Sequence, residues 1–420
     1  MRFWIASLFP LLLLSSAPSN AVGFARPPGL CRVLGHYLDS LDPAHEGSPL
    51  LERFEQFVAD RCVHLNELQV LGSHNSYHIQ PAPGLDLLLR LFSPETAFLA
   101  DTIEYTHRPL DEQFEFQGIR QIELDVFVDA PEGGLYAAPL GPVIVESFGL
   151  PPGPDFDPEG LMHEPGLKVL HVQEIDFRST CLTFVRCLQV IQTWSAEHPG
   201  HLPILVLIEA KDDPIDDPGF GFVIPPEFDA AALDAVDAEI RSVFPPEQLL
   251  TPDDVRGNRP TLEKAVVMDG WPTLARARGR VLFALDNTDA KKARYVAGHP
   301  SLRGRVMFTS SPPGEPEAAF VKVNGPIGNL ETIQELVAQG FIVRTRADAD
   351  TFDARPPVDT TRRDAALASG AQFVSTDYPD LETNPFGTDY FVEIPDGMPG
   401  RCNPINAPPG CRNPALEVAD

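Results

Sequence analysis

Lysine is scarce in this chain. There are six in 420 residues, and only 32 basic side chains stand against 60 acidic ones, for a formal net charge of −28. A protein so short of positive charge has no footprint for neutralising a phosphate backbone, which excludes a general nucleic-acid binder. No CxxC pair occurs, so the metal reading of the cysteines lacks support. Beyond the N-terminus no stretch reaches the roughly 18 consecutive apolar residues that a membrane-spanning helix needs. No internal repeat of solenoid type is present. Apolar residues, in contrast, are not lacking: 43% hydrophobic and 22% charged is an ordinary globular balance and excludes a disordered chain. The 44 prolines and 31 glycines point to long, stiff loops. Length alone allows two domains, yet α/β barrels of about 250 residues form as one unit.

At the N-terminus one positive charge, Arg2, precedes an apolar run ending at Leu14, and Ser19-Asn20-Ala21 follows as a small-x-small cleavage pattern. This reads as a secretory signal peptide, 1–21, whose run is too short to span a bilayer. Its removal near Ala21 would leave a secreted chain one unit more negative. Six cysteines remain, Cys31, Cys62, Cys181, Cys187, Cys402 and Cys411. An even number in an exported chain favours disulfides, and the short-range pairing is Cys31–Cys62, Cys181–Cys187 and Cys402–Cys411.

Short apolar, β-rich runs recur along the chain: Leu68–Leu71, Ile119–Val128, Leu167–Val172, Ile204–Ile208, Val281–Leu285, Val306–Phe308, Phe341–Val343 and Gln372–Val374. Helical patterns lie between several of them, at Cys181–Glu197, Ala230–Val243, Leu330–Gln339 and Thr361–Ser369. Strands that alternate with helices pair in parallel, and eight such units predict an α/β fold, a single (β/α)8 TIM barrel. An open doubly wound sheet is the competing arrangement, because periodicity does not report closure. The expected layout is an N-terminal segment, 22–64, packing on the barrel. The catalytic barrel would follow at 65–383, with a Pro-rich, disulfide-stapled C-terminal tail at 384–420. Two insertions, Ala130–Gly166 and Asp212–Phe228, follow strands and would sit on the face where barrels build active sites.

Residues just past each strand's C-terminus converge on one mouth. They are His74-Asn75 after the first run, Glu123 and Asp125 on the second, His171 on the third, and Glu209 with Lys211 on the fourth. Asp286, then Arg344 and Arg346, then Ser375-Thr376-Asp377 complete the ring. Alternation puts Glu123 and Asp125 on one strand face. Asn75, Glu123, Asp125 and Glu209 are all hard oxygen donors, a set that suits Ca²⁺ or Mg²⁺, with calcium favoured outside the cell. Inward-pointing carboxylates are costly unless paired or metal-bound. The competing reading pairs them with Lys211, Arg344 or Arg346 in a structural network. His74 and His171 can serve as an acid and base pair or as an acid and charge stabiliser. His78 reads as a supporting residue. Asp348, Asp350 and Asp353 lack the spacing of an EF-hand loop and read as an acidic helix start. The dipeptide Asn324-Gly325 reads as a turn without chemistry.

Taken together, Ser-His-Asn-Ser-Tyr (Ser73–Tyr77), Glu-Leu-Asp (Glu123–Asp125), His171 and Leu-Ile-Glu (Leu207–Glu209) occur in the order found in a known family. The chain resembles secreted bacterial calcium-dependent phosphoinositide-specific phospholipase C, from about Leu65 to Tyr378. The resemblance implies a TIM barrel with one Ca²⁺ at its mouth, held by Asn75, Glu123, Asp125 and Glu209. It further implies that His74 stabilises the phosphoryl transition state and that His171 is the general acid toward the diacylglycerol oxygen. Glu123 or Asp125, beside the metal, is the implied base, and Lys211 and Arg344 are contacts to phosphate or inositol. The reaction would be attack of the inositol 2-hydroxyl on phosphorus, giving diacylglycerol and a cyclic inositol phosphate. The partner would be a phosphatidylinositol headgroup at a membrane or micelle surface, met by a monomer without nucleic acid. No pleckstrin-homology, EF-hand or C2 region is visible, and six lysines give little support for selecting polyphosphorylated headgroups. Two rivals remain from the sequence: a glycerophosphodiester phosphodiesterase, and a catalytically dead secreted calcium-binding module.

Overall fold

The computed structural model describes residues 29–41 and 48–417; the expected signal peptide and its cleavage point lie outside them. Ten strands form one sheet. They are β1 (Leu68–Ser73), β2 (Gln121–Phe127), β3 (Lys168–Val169), β4 (Ile204–Lys211), β5 (Val281–Leu285), β6 (Met307–Thr309), β7 (Phe320–Lys322), β8 (Ile342–Arg346), β9 (Phe373–Thr376) and β10 (Gly400–Cys402). Eight of them run parallel in the order β6-β5-β4-β2-β1-β9-β8-β7. A parallel bridge between Ser310 and Phe320 joins the two ends, so the sheet closes into a barrel rather than staying open. The strands read as continuous apolar runs because side chains are covered on both faces, inside by one another and outside by helices. Ile204–Ile208 and Val281–Leu285 are buried throughout. Truncating one of these, Leu207→Ala for instance, would cost about 2–5 kcal/mol.

Helices form where the sequence supplies both an apolar stripe and a cap. Phe184–Glu197 starts at Thr183, whose hydroxyl accepts the Arg186 N–H, and Ala230–Val243 starts at Asp229, which accepts the N–H of Ala232. All three disulfides pair as expected from spacing: Cys31–Cys62, Cys181–Cys187 and Cys402–Cys411.

The expected third barrel strand is a correction. Of Leu167–Val172 only Lys168–Val169 is a strand, and it pairs antiparallel with the end of β2, outside the barrel wall. The cause is local. Pro165-Gly166 precede it, and the chain reverses immediately afterwards, with Val172 bridged to Asp176 and Glu174 at φ 69°. The barrel's eighth member is instead β7, whose three residues are too few to show a period. His171 therefore reaches the site from the long excursion between β2 and β4, not from a barrel strand.

The ends of the described chain reinforce the wall. Strands β1 and β2 share a single register pair, Gly72 with Gln121, and a Cβ at Gly72 would lie 2.1 Å from Gln121 Oε1. Only glycine permits that approach. Where the two strands part, β10 adds antiparallel to Leu68–Val70. Glu417 then pairs with buried Arg120 and accepts the Leu202 N–H at 2.6 Å. At the other end, Leu30–Asp39 and Pro49–Cys62 pack on each other, and Asp60 binds Arg278 at 2.7 Å. Among the described residues, no helix is long and apolar enough to cross a membrane.

Candidate active site

The site begins at the end of β1. Ser73 Oγ donates to Gln113 Oε1 at 2.6 Å, and Ser76 Oγ accepts the main-chain N–H of Glu123 at 2.8 Å. These two serines tie the turn after β1 to β2 and to the helix Leu110–Phe116. Between them Asn75 adopts φ 43°, a conformation asparagine tolerates better than most residues. Its Nδ2 donates to the Tyr105 hydroxyl at 2.9 Å, which fixes the amide so that Oδ1, buried and without a partner, faces away from that tyrosine.

Glu123 and Asp125 lie two apart on β2, and Asp125 pairs in register with Glu209 on β4. Strand alternation therefore collects all three carboxylates on one face, with donor oxygens within 4.8 Å of one another. Two cations meet this cluster. Lys211 Nζ lies 3.2 Å from Asp125 Oδ2 and 3.7 Å from Glu209 Oε2, and Arg344 Nη2 donates to Glu123 Oε2 at 2.5 Å. Arg344 also donates to Asn324 Oδ1 at 2.6 Å, so the segment read as an idle turn holds a site side chain. Asp286 is paired with Lys322, a residue of the strand that the sequence did not reveal.

Burial dominates the electrostatics. It pushes Glu123 up to about 7, with Arg344 opposing and Asp286 and Glu209 adding to the rise. Asp125 rises strongly for the same reason, against the pull of Lys211. Burial alone would lower Lys211, but Asp125 and Glu209 overcome it and hold the ammonium above its ordinary range. Asp125 Oδ1 is buried with no hydrogen-bond partner, like Asn75 Oδ1. Clustered hard donors, two orphaned oxygens and carboxylates resisting ionisation fit a hard divalent cation, which would supply the missing positive charge.

The histidines occupy two separate arrangements. His74 Nδ1 donates to Asp377 Oδ1 at 2.9 Å, leaving Nε2 4.0 Å from Glu123 Oε1. Burial, with Arg346 acting in the same direction, lowers His74 to about 3 although Asp377 opposes it. Asp377 is oriented in turn by Arg346 at 3.2 Å. Its main-chain N–H donates to Asp348 Oδ1 at 2.9 Å. Asp348 is thus no helix start: it is a buried acid behind Asp377, and it also accepts from Thr376. His171 Nδ1 donates to Asp176 Oδ2 at 2.7 Å, and its imidazole is lowered by burial against the pull of Asp176. Asp176 is held down to about 2: burial would raise it, but His78 and His171 outweigh burial.

Sequence reasoning missed three members of this surrounding shell: Asp176, Tyr105 and Gln113. Asp176 lies five residues after His171, across a reversal that no periodicity announces. Tyr105 is the junction of the site. Its hydroxyl takes Asn75 and its carbonyl takes His78 Nδ1 at 3.0 Å, while two residues on His107 Nε2 donates to the His74 carbonyl at 2.8 Å.

Residues 63–404 match the family model of Ca²⁺-dependent phosphoinositide phospholipase C. No curated protein matches the chain. Among solved structures it is similar to a calcium-dependent phosphoinositol-specific phospholipase C from Pseudomonas sp in its myoinositol complex. That likeness has 14% identity and a TM-score of 0.47, covering 82% of this chain and 96% of that one. It is also similar to the Ca²⁺-dependent phosphatidylinositol-specific phospholipase C of Streptomyces antibioticus. There the identity is 19% and the TM-score 0.46, with 78% of this chain and 98% of that one covered.

Proposed function

Because the chain belongs to the Ca²⁺-dependent phosphoinositide phospholipase C family, we propose that it cleaves phosphatidylinositol into diacylglycerol and a cyclic inositol phosphate. The observation that carries this reading is the meeting of an oxygen-only cation cluster with two carboxylate-oriented histidines. One Ca²⁺, held by Asn75, Glu123, Asp125 and Glu209, would acidify a bound hydroxyl and offset phosphate charge. With all three carboxylates ionised, as the ion requires, Lys211 and Arg344 leave the cluster with one net negative charge before the ion is counted. A divalent ion reverses that to one net positive charge, which suits a singly charged phosphodiester.

The chain's own groups then divide the work. The inositol 2-hydroxyl attacks phosphorus and gives its proton to Glu123, the base, whose carboxyl is oriented by Arg344. The bond from phosphorus to the diacylglycerol oxygen breaks, its electron pair leaves with that oxygen, and His171 Nε2 supplies the proton. His74, oriented by Asp377, presents Nε2 to the phosphoryl oxygens. Burial keeps it neutral until an anionic phosphate arrives and favours the imidazolium. Lys211, partly exposed at the mouth, contacts phosphate or inositol hydroxyls; Arg344, expected to do the same, is instead buried between Glu123 and Asn324. Three disulfides fit an oxidising compartment and support secretion.

The test compares phosphatidylinositol vesicles with deacylated glycerophosphodiesters, each with calcium and with chelator. Calcium-dependent diacylglycerol release from the vesicles is expected. Glycerophosphate release from the deacylated compounds, with intact lipid untouched, would overturn the reading.

A further inference from the structure

His78 has no exposed surface and no part in the steps above. Its Nδ1 faces the Tyr105 carbonyl oxygen at 3.0 Å, an atom that can only accept, so this nitrogen carries a hydrogen. Its Nε2 lies 2.8 and 2.9 Å from the two oxygens of Asp176. Asp176, equally buried, receives His171 Nδ1 on Oδ2. One carboxylate therefore serves two imidazoles, and both ring nitrogens of His78 point at acceptors. A proton must lie between His78 Nε2 and Asp176, which makes the pair a buried, charge-assisted contact. The rings of His78 and His171 also pack edge-on, 5.8 Å between centroids, and the carboxylate is the hydrogen-bonded link between them.

We propose that His78 is a positioning residue for the leaving-group acid, acting on His171 through Asp176; this rests on the reading that His171 protonates the departing diacylglycerol oxygen. A buried carboxylate whose one partner was His171 could rotate away or draw the imidazole proton toward itself. Bidentate contact with His78 removes both freedoms. It pins Asp176 so that Oδ2 meets Nδ1, which leaves Nε2 as the donor, and it neutralises the carboxylate so that it orients the acid without competing for the proton. During the step one proton moves from His171 Nε2 to the leaving oxygen. His171 ends neutral with Nδ1–H still donated to Asp176, and the charge on His78 does not change.

Leaving-group dependence separates this role from a structural one. An alkoxide needs a proton from the acid, whereas a nitrophenolate departs without one. His171→Ala and His78→Gln are assayed with calcium on phosphatidylinositol and on an inositol phosphodiester bearing a nitrophenyl group. The relay predicts that His78→Gln lowers kcat about tenfold on the lipid at unchanged KM, in the range of other orienting-group losses. On the nitrophenyl ester it predicts less than about threefold, the same pattern as His171→Ala with a smaller amplitude. Equal losses on both substrates, or none on either, overturn it. Wild-type protein inactive on both substrates overturns the proposed function and this inference with it; active wild type with parallel losses overturns the relay alone. Should His78→Gln fail to fold, ¹⁵N-histidine NMR of the wild type decides at neutral pH. Hydrogens on both ring nitrogens of His78 support the relay, and a bare Nε2 overturns it.

Discussion

Strand register places the carboxylates of β2 and β4, whereas a chain reversal places His171. Asp125 and Glu209 face each other because their strands are hydrogen-bonded in step over seven residue pairs. His171 and Asp176 meet because the chain turns back within five residues outside the barrel wall. The two halves also differ in what they lack. The carboxylate cluster keeps orphaned oxygens on Asn75 and Asp125 and acids that burial drives toward neutrality, so it is incomplete without a cation. In the trio of His78, Asp176 and His171, both nitrogens of His78 and both oxygens of Asp176 have partners, and only His171 Nε2 is left for substrate. In the proposed reading, the barrel wall thus carries the part that recruits charge, and the folded-over excursion carries the part that would move a proton. Tyr105 joins them through its hydroxyl and its carbonyl.

The largest expected effect falls on the histidine half. His171→Ala should lower kcat on phosphatidylinositol by about 10²–10⁴, the usual worth of a general acid, while calcium affinity by titration calorimetry stays within about twofold. A parallel loss of calcium binding would mean that the halves are not separable.

The converse applies to Glu209→Gln. Its calcium affinity should fall about 10–100-fold while circular dichroism and melting without calcium stay close to wild type, because the removed carboxylate is half-exposed and not a packing element. Activity should return at high calcium. Unchanged calcium dependence would remove Glu209 from the ligand set.

Acidification is a gentler probe of the same half. Glu123 is raised from 4.5 to about 7, so without calcium its neutral form favours the folded state. That contribution is fully present below pH 4.5 and is lost as pH rises toward 7. Calcium requires the ionised form, so binding must expel this proton. Affinity should therefore weaken about tenfold or more from pH 7.5 to 5.5, with proton release visible as a dependence of the binding heat on buffer. Calcium binding without proton uptake or release at pH 6 would show that Glu123 is already ionised or is not a ligand.

How far the sequence reached follows the same division. Period-two alternation identified Glu123 with Asp125 and Glu209 with Lys211, and the eightfold recurrence of apolar runs identified the barrel. Register is a regular property, so residues far apart in the chain could be assigned to one face. Leu167–Val172 looked like one more such run, because composition does not show that Pro165-Gly166 and the Val172–Asp176 reversal confine it to two residues. The true eighth strand, Phe320–Lys322, was too short to register; Lys322 went unread with it, and Asn324 was read only as part of a turn without chemistry. Asp176 and Tyr105 were missed for a related reason: each makes its contacts from irregular backbone, which no periodicity announces. Asp348, read as an acidic helix start, is a buried acceptor because β8 and β9 bring it against Thr376 and the Asp377 N–H.

The most direct test of the central claim is phosphorus NMR of the protein on phosphatidylinositol vesicles, first with calcium and then with chelator. The account predicts a five-membered cyclic inositol phosphate signal that grows with calcium and stops on chelation, which would report reaction class, ion requirement and intramolecular attack together. Phosphatidylinositol that stays intact while the protein binds calcium, or cleavage that continues in chelator, would contradict it.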